Sequence, residues 1–123
     1  MKLISLNINI PANGQETEFS KPFLQGYKPT GVFFKPHTTN SEIVNVKFED
    51  SNGNTVVDPI DIMFLEKGNQ GFDPSTAFPL KIDKGNTIEV TLKSEAPMTQ
   101  EFKGQLLFIL EKNNILSNDS CEY

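Results

Sequence analysis

The amino-acid sequence predicts an all-β fold, an antiparallel β-sandwich of about eight strands with a jelly-roll-like arrangement. Hydrophobic residues alternate with polar ones at a period of two in most apolar segments, as in strands with one buried face. Clusters of Gly, Pro, Asn and Asp separate these segments at short intervals, as the turns of a sandwich or barrel require. No stretch shows the three-to-four residue apolar repeat of an amphipathic helix.

The clearest element is a long hairpin within residues 42–65. Val44, Val46 and Phe48 share one parity, and apolar residues resume after an Asp-Ser-Asn-Gly-Asn segment and continue to Phe64. Asn-Gly between two alternating runs is the strongest short-range hairpin signal, because both residues tolerate a positive φ. Pro59 lies in the second arm and cannot donate to a ladder, so we expect that arm to be an edge strand or to be bulged.

The remaining segments supply the other strands and the loops between them. Residues 20–30 and 66–75 contain several Pro and Gly residues and are interpreted as long irregular loops. The other predicted strands are alternating or short apolar runs bounded by turn residues: residues 4–10, 16–19, 31–35, 78–82, 87–93 and 102–112.

The last predicted strand is apolar on both parities between Leu106 and Leu110. A strand of this kind is buried on both faces, either inside the domain or against a neighbouring subunit. Further hydrophobic residues fall on parities that face solvent, and such residues need cover from another surface. The candidate interface residues are Ile43, Met63, Leu65, Leu107 and Ile109.

Length and charge limit the classes of function. The 123 residues predict one domain over residues 1–112, followed by a polar tail over residues 113–123. The net charge is −5, and all eleven cationic residues are Lys. Without Arg or a basic face, we expect neither nucleic-acid binding nor attachment to an anionic membrane.

Targeting signals and cysteine chemistry are equally sparse. The first residues alternate and do not resemble a signal peptide, and no apolar run is long enough to insert into a membrane, so we expect synthesis in a cytosol. Cys121 is the single cysteine, which excludes an intramolecular disulfide. It is interpreted as a free thiol on the tail, with an intermolecular bridge as the alternative.

The acidic residues are of the type that binds calcium, but they do not follow the spacing of a calcium-binding motif. The segment 50–54 resembles a calcium loop, but Gly53 stands fourth rather than sixth and position twelve is Asp61 rather than Glu. A hairpin turn accounts for every residue of this segment. A second set, Asp58, Asp61, Glu66 and Asp73, could supply oxygen ligands but has no regular ligand spacing, and a solvated acidic loop is the simpler interpretation.

Catalytic and cofactor motifs are not evident. His37 is the single histidine and cannot form a histidine-based zinc site, so it is interpreted as a polar loop residue. A pair of carboxylates from distant strands could hydrolyse glycosides, but no pair stands out. The sequence therefore predicts a protein that is not an enzyme and that needs no cofactor or metal.

The whole chain resembles, in architecture, the minor virion proteins of tailless icosahedral phages, particularly their vertex or penton proteins. The resemblance lies in the strand count, the length, the absence of a signal sequence and the long loops at 20–30 and 66–75. It implies a small single jelly roll that forms homo-oligomers, contacts other virion proteins and resides in the virion after synthesis in the host cytoplasm. A capsid or vertex component is therefore the first hypothesis. A small carbohydrate- or calcium-binding sandwich is the alternative, and an enzyme with a carboxylate pair is the third.

Overall fold

The computed structural model describes residues 1–66, 72–82 and 85–112. These ranges contain two short 3₁₀ helices, Ile62–Leu65 and Pro74–Thr76, and no α-helix. The strands, numbered in chain order, are β1 (Lys2–Ile10), β2 (Glu16–Pro22), β3 (Tyr27–Pro36), β4 (Val44–Glu49), β5 (Thr55–Asp61), β6 (Phe78–Pro79), β7 (Thr87–Ser94) and β8 (Phe102–Lys112). The predicted all-β class is confirmed.

The strands form two antiparallel four-stranded sheets. Sheet I has the order β1-β8-β3-β6 and sheet II the order β2-β7-β4-β5. The pairs β1–β8, β2–β7, β3–β6 and β4–β5 are nested, as if one long hairpin had been rolled up. This nesting is the strand order of a jelly roll, so the predicted sandwich of about eight strands is confirmed.

Loops gather at the two ends of the sandwich. The upper end carries residues 11–15, 37–43, 62–66 and 95–101, and the lower end carries residues 23–26, 50–54 and 85–86. Backbone hydrogen bonds tie neighbouring loops together at each end: Met98 N–H donates to Gly14 at 2.9 Å above, and Phe23 N–H donates to Asn86 at 3.0 Å below.

The core lies between the sheets and is built from the parity that the sequence indicates. Val44, Val46 and Phe48 are all buried, while Lys47 between them is partly exposed. Phe48 meets Phe108 of sheet I edge-on, with ring centroids 6.1 Å apart. Burial of such a side chain contributes about 1.5–3 kcal/mol, and these contacts between sheets hold the sandwich closed.

The predicted hairpin turn over residues 50–54 joins β4 to β5. Gly53 has a positive φ of 84° but Asn52 does not, so the Asn-Gly pair does not form a two-residue primed turn. Instead Asp50 is buried, and its Oδ1 accepts the N–H groups of Asn52 at 2.9 Å and Asn54 at 3.0 Å. The side chain of an Asx turn thus closes a longer connection.

Three element boundaries were wrong. The loop expected over residues 20–30 is confined to 23–26, because β3 begins at Tyr27 and absorbs Pro29 at an irregularity in its register with β8. The strand expected over 78–82 pairs at two residues only, although Leu80 and Ile82 are buried. The second hairpin arm ends at Asp61, where the chain turns into a 3₁₀ helix.

Pro59, which has no backbone N–H to donate, lies on an edge strand. β5 pairs with β4 alone, so it is the edge strand of sheet II, and its register with β4 shifts at two places. The prediction of an edge or bulged arm is confirmed. The predicted tail, residues 113–123, lies outside the described residues.

Candidate functional site

The most exposed hydrophobic residues of the described chain include three at the upper end. Phe64 is 76% exposed, Ile43 48% and Met63 46%. Ile43 directly precedes β4 and the other two directly follow β5, and the pairing of Asn45 with Asp61 joins these strand ends. We call Ile43, Met63 and Phe64 the end surface.

The end surface exists because the chain leaves strand β5 after Asp61 and enters a 3₁₀ helix. The carboxylate of Asp61 accepts the N–H of Met63 at 3.0 Å and caps the 3₁₀ helix Ile62–Leu65. In this helix residues i and i+3 eclipse, so Ile62 and Leu65 both face the core. Met63 and Phe64 lie between them and turn outward. A continued strand would have buried Phe64 on the parity of Ile60 and Ile62.

The five candidate interface residues do not form one surface. Ile43 and Met63 lie together at the upper end, whereas Leu107 is partly buried on the outer face of sheet I, between Ser5 and Phe33. Leu65 and Ile109 are each only 2% exposed. The protomer itself covers these two residues, and for Ile109 this is the burial inside the domain that the two-sided apolar pattern of β8 allowed.

The cover on Ile109 is the chain between β5 and β6. A Cβ placed on Gly31 would lie 2.8 Å from Ala77 Cβ and 3.6 Å from Ile109 Cδ1, so these groups crowd around the outer face of β3. Phe72 meets the ring of Phe33 edge-on at 5.8 Å between centroids. Phe72 and Ala77 therefore lie against the outer face of sheet I, just before β6. Part of the second apolar face of β8 is therefore buried inside the domain.

A pocket of about 310 Å³ opens at the upper end beside Met63. Its floor is apolar and its rim carries two carboxylates, two hydroxyls and an amide. The lining residues are Pro36, Thr38, Thr39, Asn40, Glu42, Val44, Ile62, Met63, Glu66 and Phe102.

The rim loop, residues 37–43, is braced against the start of β8. Lys103 N–H donates to the Thr38 hydroxyl at 3.0 Å, and the Asn40 amide donates to the Gln100 carbonyl at 3.2 Å. Glu42 Oε2 accepts the backbone N–H of Thr99 at 3.1 Å and its hydroxyl at 2.9 Å. These bonds fix one wall of the pocket.

Hydrogen bonds stabilise the ionised form of the Glu42 side chain. Its own backbone N–H, followed by the N–H and hydroxyl of Thr99, lowers the pKa of the Glu42 carboxyl. Hydrogen bonds to the ionised form have this effect because they are lost on protonation. Its second oxygen, Oε1, is buried and receives no hydrogen bond of standard geometry from the described residues.

The looser acidic set serves local structure. Asp61 caps the first 3₁₀ helix, and Asp73 caps the second by accepting the N–H of Ser75 at 3.0 Å. The Ser75 hydroxyl and N–H lower the pKa of Asp73. Within residues 1–66, 72–82 and 85–112, no three His, Cys, Asp or Glu side chains lie close enough to hold a metal ion.

A second pocket, of about 260 Å³, lies on the outer face of sheet II. Glu18, Glu49 and Glu89 line it together with Asp50 of the central turn. Ser20 donates to Glu89 at 2.7 Å, and Lys47 lies 3.5 Å from Glu49. These contacts belong to a solvated face of alternating charged and polar residues.

His37 is exposed, and its backbone N–H extends the pairing of β3 with β8 by donating to Lys103 at 2.9 Å. This position agrees with its interpretation as a polar loop residue. Cys121 lies outside the described residues.

Sequence reasoning missed the pocket and Phe64 for different reasons. Glu42 and Thr99 are 57 residues apart and no sequence signal links them. Asp61 before an apolar run is a helix-cap signal, and it could have indicated that the strand ends there.

Comparison with models of known protein families and with curated proteins finds no match. In the described ranges, no helix has the length and apolar character needed to cross a bilayer.

Proposed function

We propose that this chain is a non-enzymatic assembly protein that associates with copies of itself and with shell proteins. In its specific form, the proposal is a capsid or vertex component of a phage virion, made in the host cytoplasm. The jelly roll is one of the folds that virion proteins use, although it also serves lectins and enzymes. The fold therefore permits the proposal, and the surface has to support it.

The observation that carries the proposal is the exposure of the end surface. Phe64 leaves 76% of its surface in water, and Met63 and Ile43 at the same end of the sandwich leave 46% and 48%. Phe has no polar group that would favour water, and clustered exposed hydrophobic residues mark association sites in soluble proteins. The capped 3₁₀ helix holds Met63 and Phe64 in this outward position, so their exposure is built into the fold.

The test compares two exposed hydrophobic residues at opposite ends of the molecule. Met63 is 46% exposed at the upper end and Leu24 is 45% exposed at the lower end. We expect Met63→Ser and Phe64→Ser each to weaken self-association by about tenfold or more in sedimentation equilibrium, because each removes a large apolar contact. Leu24→Ser is the control and should leave association unchanged. Equal effects of all three substitutions would contradict the proposal.

The end pocket favours one alternative, a small binding module. Its apolar floor and polar rim suit a sugar, and the carboxylates of Glu42 and Glu66 could contribute to a Ca²⁺ site. NMR titrations of the full chain with CaCl₂ and with a panel of monosaccharides test this directly. Shifts confined to residues 38–42 and 62–66 would favour binding over assembly. The absence of shifts would remove this alternative.

A further inference from the structure

The two sheets have four edges, and three of them carry features that prevent pairing with another strand. The edge of β5 contains Pro59 and has two shifts in its register. The edge strand β6 has only two residues. β2 carries Glu16, Glu18 and Lys21 and ends at Pro22. Short strands, charges, proline and irregular register are the devices by which natural sheets protect their edges.

The fourth edge, β1, has none of these features beyond its first residue. It runs for nine residues with continuous register to β8, and within the described residues it pairs with no other strand. Lys2 is its single charge, and it contains neither Pro nor Gly. A long, regular and nearly uncharged edge of this kind readily accepts another strand.

The backbone groups that face this free edge can be identified. In an antiparallel pair the N–H and C=O of one residue point to the same neighbour, and the direction alternates along the strand. The Lys103 carbonyl accepts the N–H of His37 just beyond β3. The backbone N–H and C=O groups of odd-numbered residues of β8 therefore point to β3, and those of even-numbered residues point to β1. Through the register of Ile4 with Phe108, even-numbered residues of β1 bond to β8.

Leu3, Ser5 and Asn7 therefore direct their backbone N–H and C=O groups away from β8. An independent contact agrees with this direction: the carbonyl of Asn9, on the same parity, accepts the hydroxyl of Thr17 at 2.8 Å from outside the β1–β8 pair. Thr17 thus occupies the upper part of the edge, and residues 3–7 form the part that can take a new strand.

We propose that this edge pairs antiparallel with β1 of a second copy about a two-fold axis at Ser5. Ser5 then lies opposite Ser5 of the partner, and Leu3 lies opposite Asn7. Each of these facing pairs exchanges two backbone hydrogen bonds, because the free groups of both strands fall on odd positions. The two copies of sheet I join into one continuous sheet.

The side chains of β1 suit a second copy of the same strand. Ile8 and Ile10 are buried in the core, whereas Ile4 and Leu6 on the same parity are only partly buried. The proposed register places Ile4 opposite Leu6 of the partner, so both would complete their burial. Lys2 falls opposite Ile8, which keeps the two lysines far apart. An edge that complements itself in both its apolar residues and its charge fits a symmetric dimer.

This inference rests on the proposed function insofar as both require self-association, and it names the partner and a surface separate from the end surface. The experiment is hydrogen exchange of the full chain, read by NMR at low and high protein concentration. We expect the amides of Leu3, Ser5 and Asn7 to gain protection as concentration rises. The protection of the amides of β5, the edge strand that contains Pro59, should not change with concentration.

Three substitutions at Ser5 separate backbone pairing from side-chain effects. Ser5→Pro removes the N–H of the central pair in both copies, and Ser5→Lys places like charges directly opposite each other. Each should weaken dimerisation about tenfold or more in sedimentation equilibrium. Ser5→Lys leaves the backbone intact and covers the case in which the Pro variant fails to fold. Ser5→Thr, which retains the N–H, should dimerise as the parent does.

The possible failures are distinguishable. If the chain associates through Met63 and Phe64 while the β1 amides stay unprotected and Ser5→Lys has no effect, the edge pairing is overturned and the proposed function stands. If the β1 amides gain protection but Met63→Ser and Phe64→Ser have no effect on association, the edge pairing stands and the end surface loses its role.

Discussion

Gly104 lies at the closest approach between β8 and the side chain of Phe34. A Cβ at this position would overlap the Phe34 ring and lie 2.9 Å from the carbonyl of Lys35. Phe34 is fully buried and stacks on Phe102 with centroids 5.8 Å apart, so its ring has little room to move. Only glycine fits here, because the space that a side chain needs is already filled.

We therefore expect Gly104→Ala to destabilise the domain by about 1–3 kcal/mol, the usual effect of overpacking a core. Denaturant unfolding measures the change. Phe34→Leu in the same chain should recover part of the loss, because the smaller side chain vacates the contested space. An additive double mutant would contradict the proposed clash.

Side-chain parity on β4 allows a second residue-scale prediction. Val46→Asp or Phe48→Asp places an unpaired charge in the core and should unfold the domain, since burial of an isolated charge costs far more than the stability of a small domain. Lys47→Asp, on the outer face, replaces a partly exposed ion pair with Glu49 by a solvent-screened repulsion and should cost about 1 kcal/mol or less. Circular dichroism during urea titration measures all three. Equal losses from the inward and outward changes would contradict the face assignment.

Glu42 gives a prediction about pH. Its folded-state pKa is lowered by its own N–H and by Thr99, so its contribution to stability is present above the unfolded pKa of glutamate. That contribution is lost as the pH falls through the folded pKa. We expect Glu42→Gln to flatten the acid side of the stability profile, measured by urea unfolding at a series of acidic pH values. Thr99→Val, which removes one donor, should have a smaller effect in the same direction, and identical profiles would contradict this role.

At the scale of elements, the chain between β5 and β6 does more than connect the sheets. Phe72 packs on Phe33, which is buried although it lies on the outer face of sheet I. Phe72→Ala should cost about 1 kcal/mol from the lost ring contact and should raise the fluorescence of a dye that binds apolar surface. Phe64→Ala is the control, because Phe64 is exposed and should have little effect on stability. If the two variants behave alike, residues 72–77 do not act as a cover.

Strand parity could be predicted from the sequence wherever regular alternation persisted. β4 and β7 show it throughout and their inward residues are buried as expected, whereas in β1 the inward Ile8 and Ile10 are buried and Ile4 and Leu6 only partly. Prediction failed where a side chain redirected the backbone. Asp61 ends β5 by capping a helix, and Pro29 is absorbed into β3 at an irregular pairing. Period-two counting cannot detect these local changes in the backbone.

The candidate sites were harder to predict because they join distant parts of the chain. The end pocket combines residues of the loops before β4 and after β5 with the start of β8. The cover on Ile109 comes from residues more than thirty positions earlier. The alternation in the sequence shows which hydrophobic residues lie on the outer face of a sheet. It does not show whether such a residue is covered by its own chain or by a partner. For this reason Ile43 and Met63 are exposed while Leu65 and Ile109 are not.

At the scale of the whole molecule, the nested strand order separates the two proposed association surfaces. The end surface lies among the upper loops, whereas the free part of β1 runs along the side of sheet I. A molecule can therefore use both surfaces at once, one for a two-fold contact and the other for a different neighbour. Combined contacts of this kind extend beyond a dimer toward a larger closed assembly.

Sedimentation velocity of the full chain over its whole soluble concentration range is the most direct test. We expect species heavier than the 13.8 kDa protomer, with a share that rises with concentration and falls in both Phe64→Ser and Ser5→Lys. A single 13.8 kDa species at every concentration, unaffected by either substitution, would contradict the view that these exposed surfaces are made for other copies.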